Sequence, residues 1–412
     1  MKNTVRSMLS YLALVFCVFF SSTQLRAQGG PSSNDEHLLP LLPGLENVVE
    51  FWKRIFTEFS GSQMVFFDPL DTTKIYEVIE VGEEPRTPEY ISREKERIAA
   101  EHGVDIERIR SQRGIKERTA EGLKRSGRHI AHMQQIFRDR GLPAELAYLP
   151  MVESSYDIGA RSSAGALGMW QFMRTTARQF MRVDSSIDER RDPIESTRAA
   201  ASFLKQTYET LGNWPLTITA YNFGPGGMIR AVKERESDNL MELIRDYRHP
   251  YWGFPPKNFY AEFLAAVEIG QNINRYFPDL ELDPPATIKE IELTKPTSIS
   301  TVAKNTGLTR DQLLGWNPAL STRTRSVPAG YRVKVPVDTK MPPLVEVAQS
   351  KPEPRSVSKS RPQVVHHHVK RGDTLLKIAR RYGASVDRIL KLNGMGKSHH
   401  IQAGTTLLVP KL

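Results

Sequence analysis

A single cysteine, Cys17, is all that the 412-residue chain holds. A disulfide framework and cysteine-ligated zinc are thereby excluded. The chain also lacks the run of about 20 apolar residues that a membrane-spanning helix needs. Its nearest approach, the nearly all-apolar stretch Met8 to Phe20, has 13 residues. No glycine-rich phosphate loop follows a strand pattern, so nucleotide chemistry has no support. His366, His367, His368, His399 and His400 have no further ligands at a metal-binding spacing and read as solvated. Neither a metal nor a cofactor is expected. Ser154 and Ser155 have no general base and orienting acid at a recognisable spacing, which speaks against a serine nucleophile.

The apolar stretch itself is informative. Lys2 and Arg6 precede it, and Leu25-Arg26-Ala27 offers a cleavage site after it, the pattern of a secretory signal over residues 1–27. The expected destination is outside the cytoplasm, in the periplasm. Lipidation at Cys17 would add a weak outer-membrane association, but Phe16 stands where a small residue usually precedes a lipid-bearing cysteine. Losing Lys2, Arg6 and Arg26 takes the net charge from +10 to +7. A basic exported protein suits anionic wall polymer or lipid head groups, and export makes nucleic acid the weakest partner. With 39% apolar and 25% charged residues, the remainder suits a soluble, core-forming chain of several domains.

Composition divides that remainder. Residues 28–127 form an N-terminal accessory region. It holds an apolar-periodic piece (Val48, Val49, Phe51, Trp52, Ile55, Phe56) and one or two strands over Met64 to Val81, broken at Asp68-Pro69. Residues 90–140 read as charged helices with Ile98, Ile106, Ile109, Ile130 and Ile136 on their apolar side. Residues 128–280 are apolar-rich and helical. Asp192, Pro193 and Glu195 mark a helix start there as a capping box with proline at N1, so both acids are assigned structural work.

The C-terminal part repeats itself. Shifting by 76 residues lays Ala303 on Ala379, Gly307 on Gly383, Asp311 on Asp387, Leu314 on Leu390 and Asn317 on Asn393. Each copy, at 287–337 and 366–411, reads as strand, two short helices, strand. Residues 338–365 between them carry Pro342, Pro343, Pro352, Pro354 and Pro362, the composition of an extended tether. These modules are expected as two beads strung behind a helical body.

The chemistry concentrates in Leu149-Pro150-Met151-Val152-Glu153-Ser154-Ser155-Tyr156-Asp157 and Gly165-Ala166-Leu167-Gly168-Met169-Trp170-Gln171-Phe172. Glu153 closes an apolar helical segment. Desolvation there favours the protonated carboxyl that a general acid near neutral pH requires. Gly165 and Gly168 allow close backbone approach, while Ser162 and Gln171 supply polar contacts. Two further clusters, Ala220-Tyr221-Asn222-Phe223-Gly224 and Pro255-Pro256-Lys257-Asn258-Phe259-Tyr260, pair aromatics with amides as a sugar site does. Of the nearby acids, Asp157 reads as a turn residue, whereas Asp188 and Glu189 keep a two-carboxylate hydrolysis in play. Trp52, Trp214, Trp252 and Trp316 read as core.

Together these clusters resemble the catalytic domain of the Slt-type lytic transglycosylases, which is similar to goose-type lysozyme. The wording, with Asp188-Glu189-Arg190-Arg191-Asp192-Pro193, is most like the membrane-bound lytic murein transglycosylase D group. The two repeats resemble LysM modules, most clearly at His368-Val369-Lys370-Arg371-Gly372-Asp373-Thr374-Leu375. The resemblance implies a mainly α, lysozyme-like catalytic domain followed by two small α+β modules. It implies that Glu153 is the catalytic acid and base, with Ser162, Met169, Gln171, Tyr221, Asn222 and Tyr260 binding substrate. Gly372, Asp373, Thr374, Leu375, Asn393, Gly394 and Met395 would face glycan in the second module. The first module has Pro296-Thr297-Ser298 in place of Gly372-Asp373-Thr374, which puts its glycan binding in doubt. The implied activity cleaves the β-1,4 bond from N-acetylmuramic acid to N-acetylglucosamine in peptidoglycan strands without water. An inactive wall-binding scaffold and a hydrolytic muramidase are the alternatives, and no specific protein partner is inferable.

Overall fold

A computed structural model describes residues 39–82, 87–339, 363–370, 373–382, 389–390, 392–395 and 401–411. The leader with Cys17, most of the tether, Gly372, His399 and His400 lie outside the described residues.

Helix α1 (Glu46–Thr57) buries Val49, Trp52, Ile55 and Phe56, spaced at helical intervals so that one face is apolar. It packs on the long helix α11 (Phe254–Gln271), where the buried Trp52 Nε1 donates to Asn258 Oδ1 at 3.1 Å. Strands β1 (Gln63–Asp68) and β2 (Asp71–Glu80) form a hairpin around Pro69-Leu70, as the Asp68-Pro69 break suggests. A third strand, β3 (Arg110–Arg113), joins the other edge of β1 after helix α2 (Pro88–His102). The stretch 90–140 is therefore not helical throughout. Ile109 turns inward with Phe66 and Ile98, and Arg110-Ser111-Gln112-Arg113 satisfies the free edge of β1. A four-residue strand of polar residues carries no alternation that could announce it.

The helical body follows as α3 (Lys116–Ser126), α4 (Ile130–Arg138), the short α5 (Leu149–Ser154) and the single turn α6 (Arg174–Ala177). Next come α7 (Pro193–Leu211), α8 (Trp214–Phe223), α9 (Pro225–Arg235) and α10 (Leu240–Asp246). Then α11 and the single turn α12 (Ile273–Tyr276) complete it. One apolar core runs from Leu45 to Phe277, so the accessory region shares its interior with the body. Trp52, Trp214 and Trp252 lie in that core, while Trp316 is half-buried.

The first repeat is β4 (Ile288–Glu292), β5 (Thr297–Ser298), α13 (Ile299–Thr306), α14 (Arg310–Trp316), β6 (Ser326–Val327) and β7 (Arg332–Pro336). β4 pairs antiparallel with β7. This module is fused to the helical body, not strung behind it. Ile187 of the body sits in the module's core, and Asp188 N donates to Ala319 O at 2.9 Å. Asp192 caps α7 as expected, accepting from Ile194 N and Glu195 N. Glu195 does not reach back to close a capping box. Its carboxylate instead meets Arg198, Arg332 and the buried Lys334, and Arg198 pairs with Glu290 at 2.7 Å. Burial alone would push Glu195 up, but Lys334, Arg198 and Arg332 outweigh it and hold it down at about 2. Burial likewise works against the Lys334 ammonium. Asp192, Glu195 and Glu290 reverse that and raise it.

The second repeat forms a unit with its own small core of Val369, Leu375, Ile378, Ile389, Leu407 and Val409. β8 (Gln363–His368) pairs antiparallel with β9 (Thr406–Lys411), and α15 (Leu375–Tyr382) packs on them. His367 is buried rather than solvated, with Nδ1 3.0 Å from the Tyr382 hydroxyl and Nε2 3.0 Å from Asp373.

Candidate active site

Glu153 stands on the last turn of α5, and the backbone stops the helix abruptly behind it. Ser155 and Tyr156 both take left-handed conformations, φ 54° and 57°, which non-glycine residues adopt at a cost of about 1–3 kcal/mol each. The surroundings hold them there. Arg125 Nη2 donates to Ser155 O at 2.7 Å, Arg118 Nε to Ser155 Oγ at 3.1 Å, and the Tyr156 hydroxyl to Ala147 O at 2.9 Å. Ser154 is buried with its Oγ donating to Met169 O at 2.8 Å, so neither serine is a free nucleophile.

The glutamate side chain is partly buried and has no hydrogen-bond partner among the described residues. Burial, and secondarily the charge of Glu262, pushes its carboxyl up to about 8. Glu262 on α11 is itself pushed up to about 8 by burial. Tyr221 on α8 is raised by burial and then by the charge of Glu153. Its hydroxyl donates to Trp170 O at 2.7 Å, and its ring packs edge-on to Phe172 and Phe203. Asn222, the next residue, is exposed.

The loop 160–172 is tied to these elements through Ser154 and Tyr221. Gly168 has φ 78°, and a Cβ there would come within 1.9 Å of Arg190 O, so both its conformation and its contact demand glycine. Gln171, at φ 47°, donates through Nε2 to Gly168 O at 2.7 Å and Ala160 O at 3.2 Å. Ser162 Oγ accepts from Ala166 N at 3.0 Å. The structure thus gathers Glu153 and Tyr221 at one place and gives Ser162 and Gln171 loop-holding bonds while leaving both partly exposed. Met169 and Tyr260 lie in the core, each 1% exposed, and the Tyr260 hydroxyl donates to Pro40 O at 2.8 Å. The structure gives these two a packing role where the sequence suggested sugar contacts.

The other acids separate clearly. Asp157 is exposed and accepts from Gly159 N at 2.8 Å, a turn as expected. Asp188 pairs with Arg190, and Glu189 accepts from Arg182 N at 2.7 Å. The second carboxyl near Glu153 is therefore Glu262, which the sequence reading missed. Its only signal was an acid set directly between the apolar Ala261 and Phe263.

In the second module, Asn393 Nδ2 donates to Ile389 O and Leu408 O, both at 2.7 Å, and Oδ1 accepts from Leu408 N at 2.8 Å. Asn317 makes the same three bonds in the first module, to Leu313 O, Lys334 O and Lys334 N. The repeated asparagine is therefore a staple between helix and strand, its amide spent on backbone. Leu375 is core and Met395 packs against it, while Asp373 accepts from Lys370 N and faces His367. Of the expected glycan-facing residues that are described, Thr374 and Gly394 are exposed.

Two stretches of the chain match known protein families. Residues 133–244 match the transglycosylase SLT domain, and residues 367–410 match the LysM domain. Membrane-bound lytic murein transglycosylase D of Escherichia coli (strain K12) is 28% identical over 283 residues, 66% of this chain and 61% of that protein. The chain thus spans about six-tenths of the length of that relative. A putative tributyltin chloride resistance protein of Alteromonas sp. (strain M-1) is 38% identical over 95 residues, 23% of this chain and 46% of that protein. Among solved structures, an inactive variant of the lytic transglycosylase Slt of Pseudomonas aeruginosa matches with TM-score 0.28 and 26% identity, covering 37% of this chain and 25% of that one. The 70 kDa soluble lytic transglycosylase of Escherichia coli matches with TM-score 0.30 and 20% identity, covering 36% and 25%.

Proposed function

We propose that this protein is a peptidoglycan lytic transglycosylase in which Glu153 acts first as acid and then as base. The observation that carries the reading is a glutamate with no hydrogen-bond partner among the described residues, pushed up to about 8, inside the stretch that matches the SLT domain.

A carboxyl group that keeps its proton near neutral pH can deliver it to the glycosidic oxygen as the bond from muramyl C1 breaks. The carboxylate left behind is poorly solvated and so basic enough to take the proton from the muramyl 6-hydroxyl. That oxygen attacks C1 and closes a 1,6-anhydro ring, which returns the proton to Glu153 without consuming water. A hydrolase needs a second carboxylate, ionised, to activate water or to form a glycosyl-enzyme. Asp157, Asp188 and Glu189 are held elsewhere, and burial keeps Glu262 protonated at neutral pH. The donors and ring at Ser162, Gln171, Tyr221 and Asn222 are proposed to position the sugars. The second module is proposed to hold the enzyme near its polymer by raising its effective concentration. The accompanying location is the periplasm, after export. Among the described residues, no helix is long and apolar enough to cross a membrane.

Digestion of purified sacculi tests the reading. Cleavage by the wild-type protein, lost in Glu153→Gln with sacculus binding retained, is the expected result; a fully active Glu153→Gln would overturn it.

A further inference from the structure

Val152, next to Glu153 on α5, and Ser155, the cap of that helix, line a cleft of about 260 Å³, walled on its other side by the accessory region. Trp52 and Phe254 give it an apolar wall; Arg110 and Gln112 of β3, Arg118 of α3 and Glu262 supply its polar groups. The arginines have few partners there. The Arg110 guanidinium lies 3.9 Å from the centroid of the Phe254 ring, and its Nε is buried with no hydrogen-bond partner. Arg118 uses Nε on Ser155. Neither arginine is in an ion pair among the described residues, although Glu262 lines the same cleft.

Burial works against the Arg110 charge and holds Glu262 neutral, so the cleft presents two uncompensated guanidinium groups beside a protonated carboxyl. A buried donor without a partner is unfavourable, and an anionic ligand would relieve that. Planar guanidinium suits a carboxylate in particular. The carboxyl of Glu262, as a hydrogen-bond donor, complements the same ligand.

We infer that this cleft is a subsite for a carboxylate of the peptide stems that the glycan substrate carries, with Arg110 and Arg118 as its anchors. The inference rests on the proposed activity for its choice of ligand. The sugar rings of the strand are uncharged, whereas the stems branch from the muramyl ring at the bond being cut and carry free carboxylates. Because Val152 precedes Glu153 on α5 and Ser155 caps the same helix, a stem leaving that ring is within reach of the cleft. The accessory region thereby contributes to substrate recognition as well as to the core.

The test is titration of the full-length Glu153→Gln protein with the free stem peptide L-alanyl-γ-D-glutamyl-L-lysine, and with the same peptide capped as amides. Arg110→Gln removes the guanidinium that stacks on Phe254 and keeps a polar side chain, and its melting temperature is measured alongside to show that the variant is folded. Weak binding of the free peptide, lowered about tenfold or more by Arg110→Gln or by amide capping and no further by both, is the expected result. Arg110→Lys, which keeps the charge without the planar fork, should restore only part of the binding. Equal binding of the free and capped peptides, or no binding at millimolar concentration, would overturn the inference. Inorganic phosphate binding as tightly as the peptide would overturn it in favour of a phosphate site. Sacculus digestion supplies the separate check on activity. If the wild-type protein fails to cleave, the proposed function falls, while the sugar-free peptide titration still decides this site.

Discussion

Replacing Glu153 by glutamine should do more than stop catalysis: it should stabilise the protein, and only above a definite pH. The ordinary glutamate value of 4.5 applies in the unfolded chain, and burial with the Glu262 charge lifts the folded value to about 8. Between those values the folded state holds a proton that the unfolded state releases, so wild-type stability falls as pH rises. Each pH unit in that window costs about 1.4 kcal/mol. At pH 7 the full effect would be about 3 kcal/mol. The carboxyl keeps some contact with solvent, and glutamine brings an amide that also wants partners, so we expect a gain of about 1–2 kcal/mol. The assay is urea unfolding followed by tryptophan fluorescence, to which the buried Trp170 contributes. Wild type and Glu153→Gln should coincide near pH 4.5 and separate progressively to pH 8, with the variant the more stable. A difference that is the same at both ends, or a variant less stable at pH 8, would refute the desolvated-acid account.

Three other substitutions follow from particular contacts. Gly168→Ala puts a Cβ within 1.9 Å of Arg190 O in a left-handed backbone, and should lower stability by about 2–4 kcal/mol in urea unfolding and abolish cleavage. Lys334→Ala leaves Asp192, Glu195 and Glu290 without their buried cation, so the melting temperature should fall by an amount corresponding to about 3–5 kcal/mol. Asn393→Ala removes three staple bonds and should destabilise the second module by about 2–4 kcal/mol, seen as loss of amide-exchange protection in β9 without any glycan present.

What the sequence made legible was whatever one segment decides for itself. The N-cap at Asp192, the break at Pro69 and the apolar face of α1 are local, and each stands in the structure as the residues suggest. The carboxyl at Glu153 was legible because apolar residues surround it in the sequence as well as in space. Glu262 was not, because its nearness to Glu153 depends on how α5 and α11 meet. Lys334 and Glu195 are ordinary charges until the first module docks and encloses them. Asn393 misled for another reason: recurrence at equal positions in two copies marks either a ligand site or a staple, and only the bonds to Leu408 distinguish them. Tyr260 looked like a sugar contact by type, whereas α11 turns its ring inward.

The central claim is that one glutamate cleaves the strand without water, and mass spectrometry of the soluble products tests it most directly. Digestion of sacculi by the wild-type protein should release muropeptides about 18 Da lighter than their hydrolytic counterparts, because the 6-hydroxyl replaces water as nucleophile. The same products should be missing from the Glu153→Gln digest. Reducing muramyl ends at full mass would contradict the account and require an ionised second carboxylate in the site.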